Sequence, residues 1–216
     1  MRQAVLAGDG VWLSAPTVAD VPAIARCCQE PGLAEMTSAI PIPFAEADAR
    51  HFITETVEPE WARGTAASWA VRLSLAGEAV GMVGLNGCGT YLPPVEPRHG
   101  RDGGFVFDHA ELGYWLSARA RSRGIMTEAA RLVCGFGFEK LHVRGIRWRA
   151  LVGNVPSARV ARRLGFRFDG VEVFDDWRGR DVDVWAASLG SGELRVSDED
   201  PLPDQWPSEV AAGVRP

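Results

Sequence analysis

With 216 residues the chain is long enough for one well-filled core but not for two domains of ordinary size. Hydrophobic residues at 46% and charged residues at 24% describe a globular protein, and a net charge of −5 argues against a general nucleic-acid binder, although a local basic patch survives such an average. No apolar run approaches the roughly 18 residues that span a bilayer, and residues 1–9 are too poor in apolar content for a signal peptide, so no membrane partner and a cytoplasmic location are expected. Cys27, Cys28, Cys88 and Cys134 lack paired spacing, and His51, His99, His109 and His142 lack HxxxH spacing, so reduced thiols and no metal site are expected. A homodimer is left open.

In chain order, Val11, Trp12 and Leu13 mark a short strand. A helix starts after Asp20 as N-cap, with Pro22 in its first turn, and stops near Pro31 and Gly32. Residues 33–43 are irregular, and a second helix is predicted over 44–56 with Phe44, Ala47, Phe52 and Ile53 as its packing side. Two helices placed before the main sheet can wall a substrate cleft. Residues 68–75 and 78–85 predict a β-hairpin joined through Ala76 and Gly77. The Pro- and Gly-rich segment 86–104 is longer than the loops of most compact domains and reads either as a surface excursion or as a lid.

A strand over 105–116 comes next, then a helix from Gly124 to Lys140, then a strand over 143–150 in which Val143, Ile146 and Trp148 are separated by Arg and Gly. Strand, helix, strand in that order predicts a parallel crossover. Asn154 leads into a short helix over 158–164 closed by Gly165, and 166–174 with 181–187 form a final hairpin. The result is a single α/β (α+β) domain over residues 1–188 with a mixed sheet. Residues 189–216 are rich in Gly, Ser, Pro and acidic residues without apolar spacing, which predicts a flexible tail or else a strap on a neighbouring surface.

The chemistry concentrates in one stretch. Glu111-Leu112-Gly113-Tyr114-Trp115-Leu116 is apolar and aromatic, Arg121-Ser122-Arg123-Gly124-Ile125-Met126 is a short basic turn with one glycine, and the long helix follows at once. Such a turn presents N–H groups at the first helical turn, where the dipole and the unpaired donors favour an anion such as a phosphate. The GxxxxGK[ST] spacing of a triphosphate loop and the GxGxxG of a dinucleotide fold are both missing. From the residues alone, a phosphorylated ligand is expected beside the end of a strand.

With Thr127-Glu128-Ala129-Ala130 and the later segment from Asn154-Val155-Pro156-Ser157 to Leu164-Gly165-Phe166, this stretch resembles the GNAT superfamily of N-acyltransferases, in the branch that contains the ribosomal-protein-alanine N-acetyltransferases. The similarity runs over roughly residues 10–187. The family's turn reads Gln or Arg, two variable residues, Gly, one variable residue, then Gly or Ala; Met126 departs from it at the last place. The resemblance implies a mixed, mostly antiparallel central sheet flanked by helices, its central strands split by a bulge around residues 113–116 so that pantetheine lies between them. It also implies acetyl-CoA, or another acyl-CoA such as succinyl-CoA, as donor, and an amine of a small molecule or a peptide N-terminus as acceptor. Arg121, Arg123, Gly124, Ile125 and Met126 would then hold the pyrophosphate and Asn154 the pantetheine arm. A backbone N–H at Trp115 or Leu116 would meet the oxyanion, Ser157 would protonate the leaving thiolate, and Arg159 and Arg162 would meet the nucleotide phosphate.

Several of these positions also have a plainer reading. Glu111 is either a solvent-facing strand residue or, facing the acceptor cleft, the base that relieves the attacking ammonium of a proton through water. An amine of pKa about 8 needs no strong base. Asn154 and Ser157 suit a helix cap equally well, and the arginines of the short helix suit a solvated surface. Tyr114 reads as packing or as a proton donor; the short helix has no tyrosine, which moves the acid role toward Ser157 or solvent. Glu172, Asp175 and Asp176 either recognise an amine or decorate a turn. A non-catalytic CoA-binding protein is the rival from another class.

Overall fold

A computed structural model describes residues 3–37, 40–87, 98–99, 105–106, 109–175, 177–197 and 202–212. Strands β1 (Leu6–Gly8) and β2 (Val11–Ser14) open it as a hairpin, and helix α1 (Val21–Cys28) follows. Asp20, expected as the N-cap of α1, makes no capping bond to it. Its carboxylate accepts from Thr17 N–H at 2.9 Å and from the two Nη groups of Arg72 at 2.7 and 2.8 Å. A forked guanidinium is a stronger partner than a helix N–H. Burial pushes the Asp20 carboxyl up, but Arg72 and Thr17 together outweigh it and hold the group below its ordinary value.

The second helix is longer than its apolar pattern predicts. Helix α2 (Glu46–His51) continues through a π-helical turn (Phe52–Val57) into α3 (Glu58–Arg63), which stops at Gly64 with φ 72°. Pro59 falls in the first turn of α3, where its missing N–H is tolerated. Strands β3 (Ala66–Arg72) and β4 (Gly81–Gly87) form the predicted hairpin. Two-residue strands β5 (Arg98–His99) and β6 (Phe105–Val106) pair with each other. Most of the segment 86–104, and with it the choice between excursion and lid, lies outside the described residues. The rest is β7 (His109–Leu116), α4 (Ile125–Lys140), β8 (Gly145–Leu151), α5 (Val155–Leu164), β9 (Arg167–Phe174), β10 (Val182–Gly190) and α6 (Ser208–Ala211).

Eight strands form one sheet in the order β1-β2-β3-β4-β7-β8-β10-β9; β7 and β8 run parallel and the other neighbours antiparallel. Helix α4 is the crossover between the parallel pair, as expected. One face of the sheet packs Leu85, Leu112, Ile146 and Trp148 against α4 and α5; the other packs Ala70, Met82 and Trp115 against α1 and α2. Strand β8 illustrates the sorting, since Ile146, Trp148 and Ala150 are buried while the alternating arginines turn to the opposite face. Gly137 lets α4 lie close to the sheet, because a Cβ there would come within 2.7 Å of Leu85.

The parallel pairing of β7 with β8 covers only His109↔Gly145, Ala110↔Ile146 and Glu111↔Arg147. Past Glu111 the strands part: β7 stays paired to β4 up to Leu116, and β8 stays paired to β10 up to Leu151. The expected split is there, but the expected bulge is not, because the β4–β7 register runs without a shift from Gly87↔Ala110 to Gly81↔Leu116. Two half-sheets diverge, each following the twist of its own antiparallel partner.

The segment after Gly190, expected as a flexible tail or else a strap on a neighbouring surface, packs onto the domain. Trp206 is 6% exposed, donates its indole N–H to Phe166 O at 3.0 Å, and lies against Trp148 and Phe168. Val210 of α6 is fully buried, and the backbone N–H of Arg195 donates to Leu164 O at 3.0 Å. One tryptophan suffices for this where no periodic pattern exists, since truncating such a buried ring to Ala costs about 3–5 kcal/mol. Among the described residues no helix is long and apolar enough to cross a membrane.

Candidate active site at the split between the half-sheets

Strand β7 leads through a 3₁₀ turn (Ala118–Ala120) into the basic turn ahead of α4. Two left-handed residues, Ser122 at φ 59° and Gly124 at φ 75°, curl the backbone there. No described residue lies within 4 Å of a Cβ built on Gly124, so the conformation, and not crowding, is what asks for glycine. The first ladder bond of α4 runs from Glu128 N–H to Gly124 O at 3.0 Å, which leaves the N–H groups of Ile125, Met126 and Thr127 without an intrahelical acceptor. The Met126 side chain is buried in the core beside α4 and points away from the turn, so this departure from the family pattern does not narrow it. Arg121 donates its Nε–H to Leu116 O at 2.9 Å, and Arg123 is exposed.

The turn is pinned from upstream by carboxylates that carry no motif in the sequence. Glu30, just past α1, accepts from the Ser117 hydroxyl at 2.5 Å and from Ala118 N–H at 2.7 Å. Glu78 bridges Arg119 and Arg26, and Arg119 above all holds its carboxyl below the ordinary value. Glu30 and Ser117 are 87 residues apart, so only a tertiary contact joins them.

Alternation decides what β7 offers to the split. Ser117 N–H bonds Val80 O at 2.9 Å and Leu116 stands opposite Gly81. Because antiparallel N–H groups alternate in direction, Trp115 N–H turns to β4 while the N–H groups of Tyr114 and Leu116 face the opening. Of the two oxyanion donors expected, Leu116 points into the split and Trp115 does not. The Trp115 ring packs with Met82 on the α1 side.

Across the opening, Asn154 caps α5, its Oδ1 accepting from Ser157 N–H at 3.3 Å. The Ser157 hydroxyl accepts from Trp148 Nε1–H at 3.3 Å and donates to the Tyr114 phenolic oxygen at 3.2 Å, while Tyr114 donates to Ser157 O at 2.9 Å. Tyr114 thus reaches from β7 across the split to the first turn of α5. Burial lifts its pKa above the ordinary value, so the phenol keeps its proton. The contact with Ser157 makes Tyr114 more than packing, and the partner of Ser157 that spacing alone misses is the Trp148 indole, whose burial on an alternating strand demands an acceptor.

The opposite face of β7 carries Glu111, Gly113 and Trp115. Glu111 accepts from Arg149 Nη2 at 2.7 Å, the Arg149 guanidinium lies 4.9 Å from the centre of the Phe174 ring, and Arg147 pairs with Glu172. Glu111 is therefore a paired carboxylate, still one-third exposed. A Cβ on Gly113 would meet only Asn86 among the described residues, at 3.6 Å, which keeps this face open between Glu111 and Trp115. Arg178, at the tip of the β9–β10 hairpin, donates to the carbonyls of Ala34, Thr37 and Ile40 and ties the hairpin to the segment after α1. Asp175 is exposed, and Asp176 lies outside the described residues.

Each of the two α5 arginines expected at the nucleotide phosphate makes a bond to the C-terminal segment: Arg159 donates to Glu209 O at 3.0 Å and Arg162 to Pro203 O at 3.1 Å. Cys27, Cys28 and Cys134 are free and buried; burial pushes all three thiols up, Cys28 to about 12, which keeps them protonated and unreactive. Cys88 lies outside the described residues.

Residues 11–167 match the sequence model of a family described as acetyltransferase (GNAT) domain. Over 118 residues the chain is 31% identical to the "Putative ribosomal N-acetyltransferase YdaF" of Bacillus subtilis (strain 168), an alignment covering 54% of this chain and 56% of that protein, so the chain spans little more than half of that relative's length. Among solved structures, the ribosomal-protein-S5-alanine acetyltransferase from Vibrio fischeri superposes with a TM-score of 0.69 at 16% identity, covering 89% of this chain and 99% of that one. The microcin C7 self-immunity acetyltransferase MccE, solved in complex with acetyl-CoA and AMP, gives 0.67 at 19% identity, covering 85% and 93%. At these identities the structural likeness is one of fold.

Proposed function

The chain belongs to the GNAT acetyltransferase family, and from that premise we propose that it transfers an acyl group, acetyl first, from acyl-CoA to a primary amine by direct attack. One observation carries the reading: the edge of β7 over residues 112–116, which β8 has left, leads to the N–H groups of Ile125, Met126 and Thr127, which have no acceptor within α4. A strand edge suits the amide-bearing pantetheine arm, and the helix start suits the pyrophosphate. The acyl-CoA supplies a thioester carbonyl. Leu116 N–H is directed to where that carbonyl oxygen gains charge. Ser157 Oγ holds a proton for the departing sulfur, and the Tyr114 O–H can turn to the oxygen so exposed; Ser157 then regains its proton from solvent. Glu111, held in place by Arg149, relieves the amine of its proton through water. Holding both reactants in register supplies much of the acceleration.

YdaF is named a putative ribosomal N-acetyltransferase, so ribosomal proteins are the first acceptors to test, against small amines. Mass-spectrometric profiling with acetyl-CoA and succinyl-CoA over ribosomal-protein N-terminal peptides and small amines is the experiment. Acetylated product from at least one acceptor is expected. Tight CoA binding with no transfer to any acceptor would leave a CoA-binding protein without catalysis.

A further inference from the structure

We infer that the C-terminal segment is a positioning element of the reaction centre: Trp206 fixes the Trp148 ring, and Trp148 orients the Ser157 hydroxyl. The inference rests on Ser157 as the proton donor of the proposed reaction. It concerns a part of the chain beyond residue 167, where the match to the family ends.

Trp206 is held from several sides. Its indole N–H is bonded to Phe166 O at 3.0 Å, and its ring centre lies 5.7 Å from that of Trp148 and 5.4 Å from that of Phe168. Arg159 and Arg162 fasten the same segment by the carbonyls of Glu209 and Pro203. Trp148 is fully buried on β8, between this segment and the Tyr114 side of the core, so Trp206 supplies one wall of its slot. An indole has a single donor, and that of Trp148 goes to Ser157 Oγ.

The Ser157 hydroxyl has one proton and two lone pairs. Trp148 takes up one of the three directions about Oγ, so the proton has two left: toward Tyr114, where it rests, and the open one, to which it swings for transfer as the Tyr114 O–H takes its place. At 3.3 Å the indole bond is already at the long end of the hydrogen-bond range, and a small rocking of the ring breaks it. Without the Trp206 wall the ring is free to rock. The segment thereby reaches the reacting proton through one ring and one hydrogen bond, without touching either substrate.

The test joins NMR of the tryptophan indole N–H signals with a kinetic cycle. Trp206→Ala should shift the Trp148 indole signal and speed its hydrogen exchange, and Trp206→Phe should restore both. Trp148→Phe and Trp206→Ala should each lower kcat by about tenfold with the KM for acyl-CoA within about twofold, and neither should slow the Ser157→Ala enzyme further. Trp148→Phe keeps a ring in the slot and carries the kinetic test even if Trp206→Ala does not fold. A Trp148 signal that ignores Trp206→Ala, or losses that multiply with that of Ser157→Ala, overturns the inference. If Ser157→Ala is slow and Trp148→Phe is not, the positioning role alone fails. If Ser157→Ala keeps full kcat, the proton-donor reading fails and takes the inference with it.

Discussion

Two arginine-bearing stretches of this chain carry the same expectation of phosphate, and the fold uses them differently. Between Arg121 and Met126 the turn offers backbone N–H groups, presented by two left-handed residues and the start of a 16-residue helix, beside the exposed Arg123. On α5, Arg159 and Arg162 are fixed by carbonyls of the C-terminal segment. The difference teaches that a site built from backbone geometry travels with local sequence, because φ, turn length and helix start are local properties. A long cationic side chain does not, since its partner is whichever acceptor the tertiary fold brings near. Within α5 the same division recurs: in its first turn Ser157 meets Tyr114 across the split, whereas Arg159 and Arg162 bond the C-terminal segment.

That division can be broken or sharpened by substitution, starting with the largest effect. Ser157→Ala should lower kcat by about 100-fold with the KM for acyl-CoA changed less than about threefold; steady-state kinetics decide it, and an unchanged kcat would return Ser157 to a capping role. Gly124→Val places a β-branched residue at positive φ, and by calorimetry CoA affinity should fall by about tenfold or more. Glu111→Gln should lower kcat/KM for the amine by about fivefold and alter the pH–rate profile, whereas an unchanged profile would make the pair with Arg149 purely structural. Arg162→Gln belongs to the other class: CoA affinity should stay within about twofold while Tm drops by about 2–4 °C from the lost bond to Pro203 O. The smallest effect concerns pH. Tyr114 titrates above its ordinary value of about 10, so its contribution is complete below that pH and is lost as pH rises from there through the folded value, because the unfolded phenol ionises first. Thermal melts at alkaline pH should show that slope, and Tyr114→Phe should remove it.

Much of the fold was readable because its signals are local. The strand–turn–helix around Gly124, the parallel crossover through α4 and the final hairpin all follow from alternation, helical spacing and turn residues within about 40 positions of one another. What could not be read depends on distant partners. Asp20 leaves the helix N-terminus for Arg72, and Glu30 takes Ser117, 52 and 87 residues away respectively. The split was expected through a local bulge, but it arises from two half-sheets diverging, which no single strand encodes. Trp206 stands in a Pro-rich, acidic surrounding that reads as disordered, and only the apolar slot beside Trp148 and Phe168 orders it. The site shows the same pattern: Gly124 and the first turn of α5 were legible, while the Tyr114–Ser157–Trp148 contacts and the pairing of Glu111 with Arg149 needed three dimensions.

Hydrogen–deuterium exchange with and without acetyl-CoA tests the central claim most directly, because it reports on the backbone groups themselves. Binding should protect peptides covering residues 112–117 and 121–127, and leave those covering the later turns of α5 and residues 202–212 at their free rates. Protection confined to the Arg159 and Arg162 region, with residues 112–127 exchanging as before, would contradict the account.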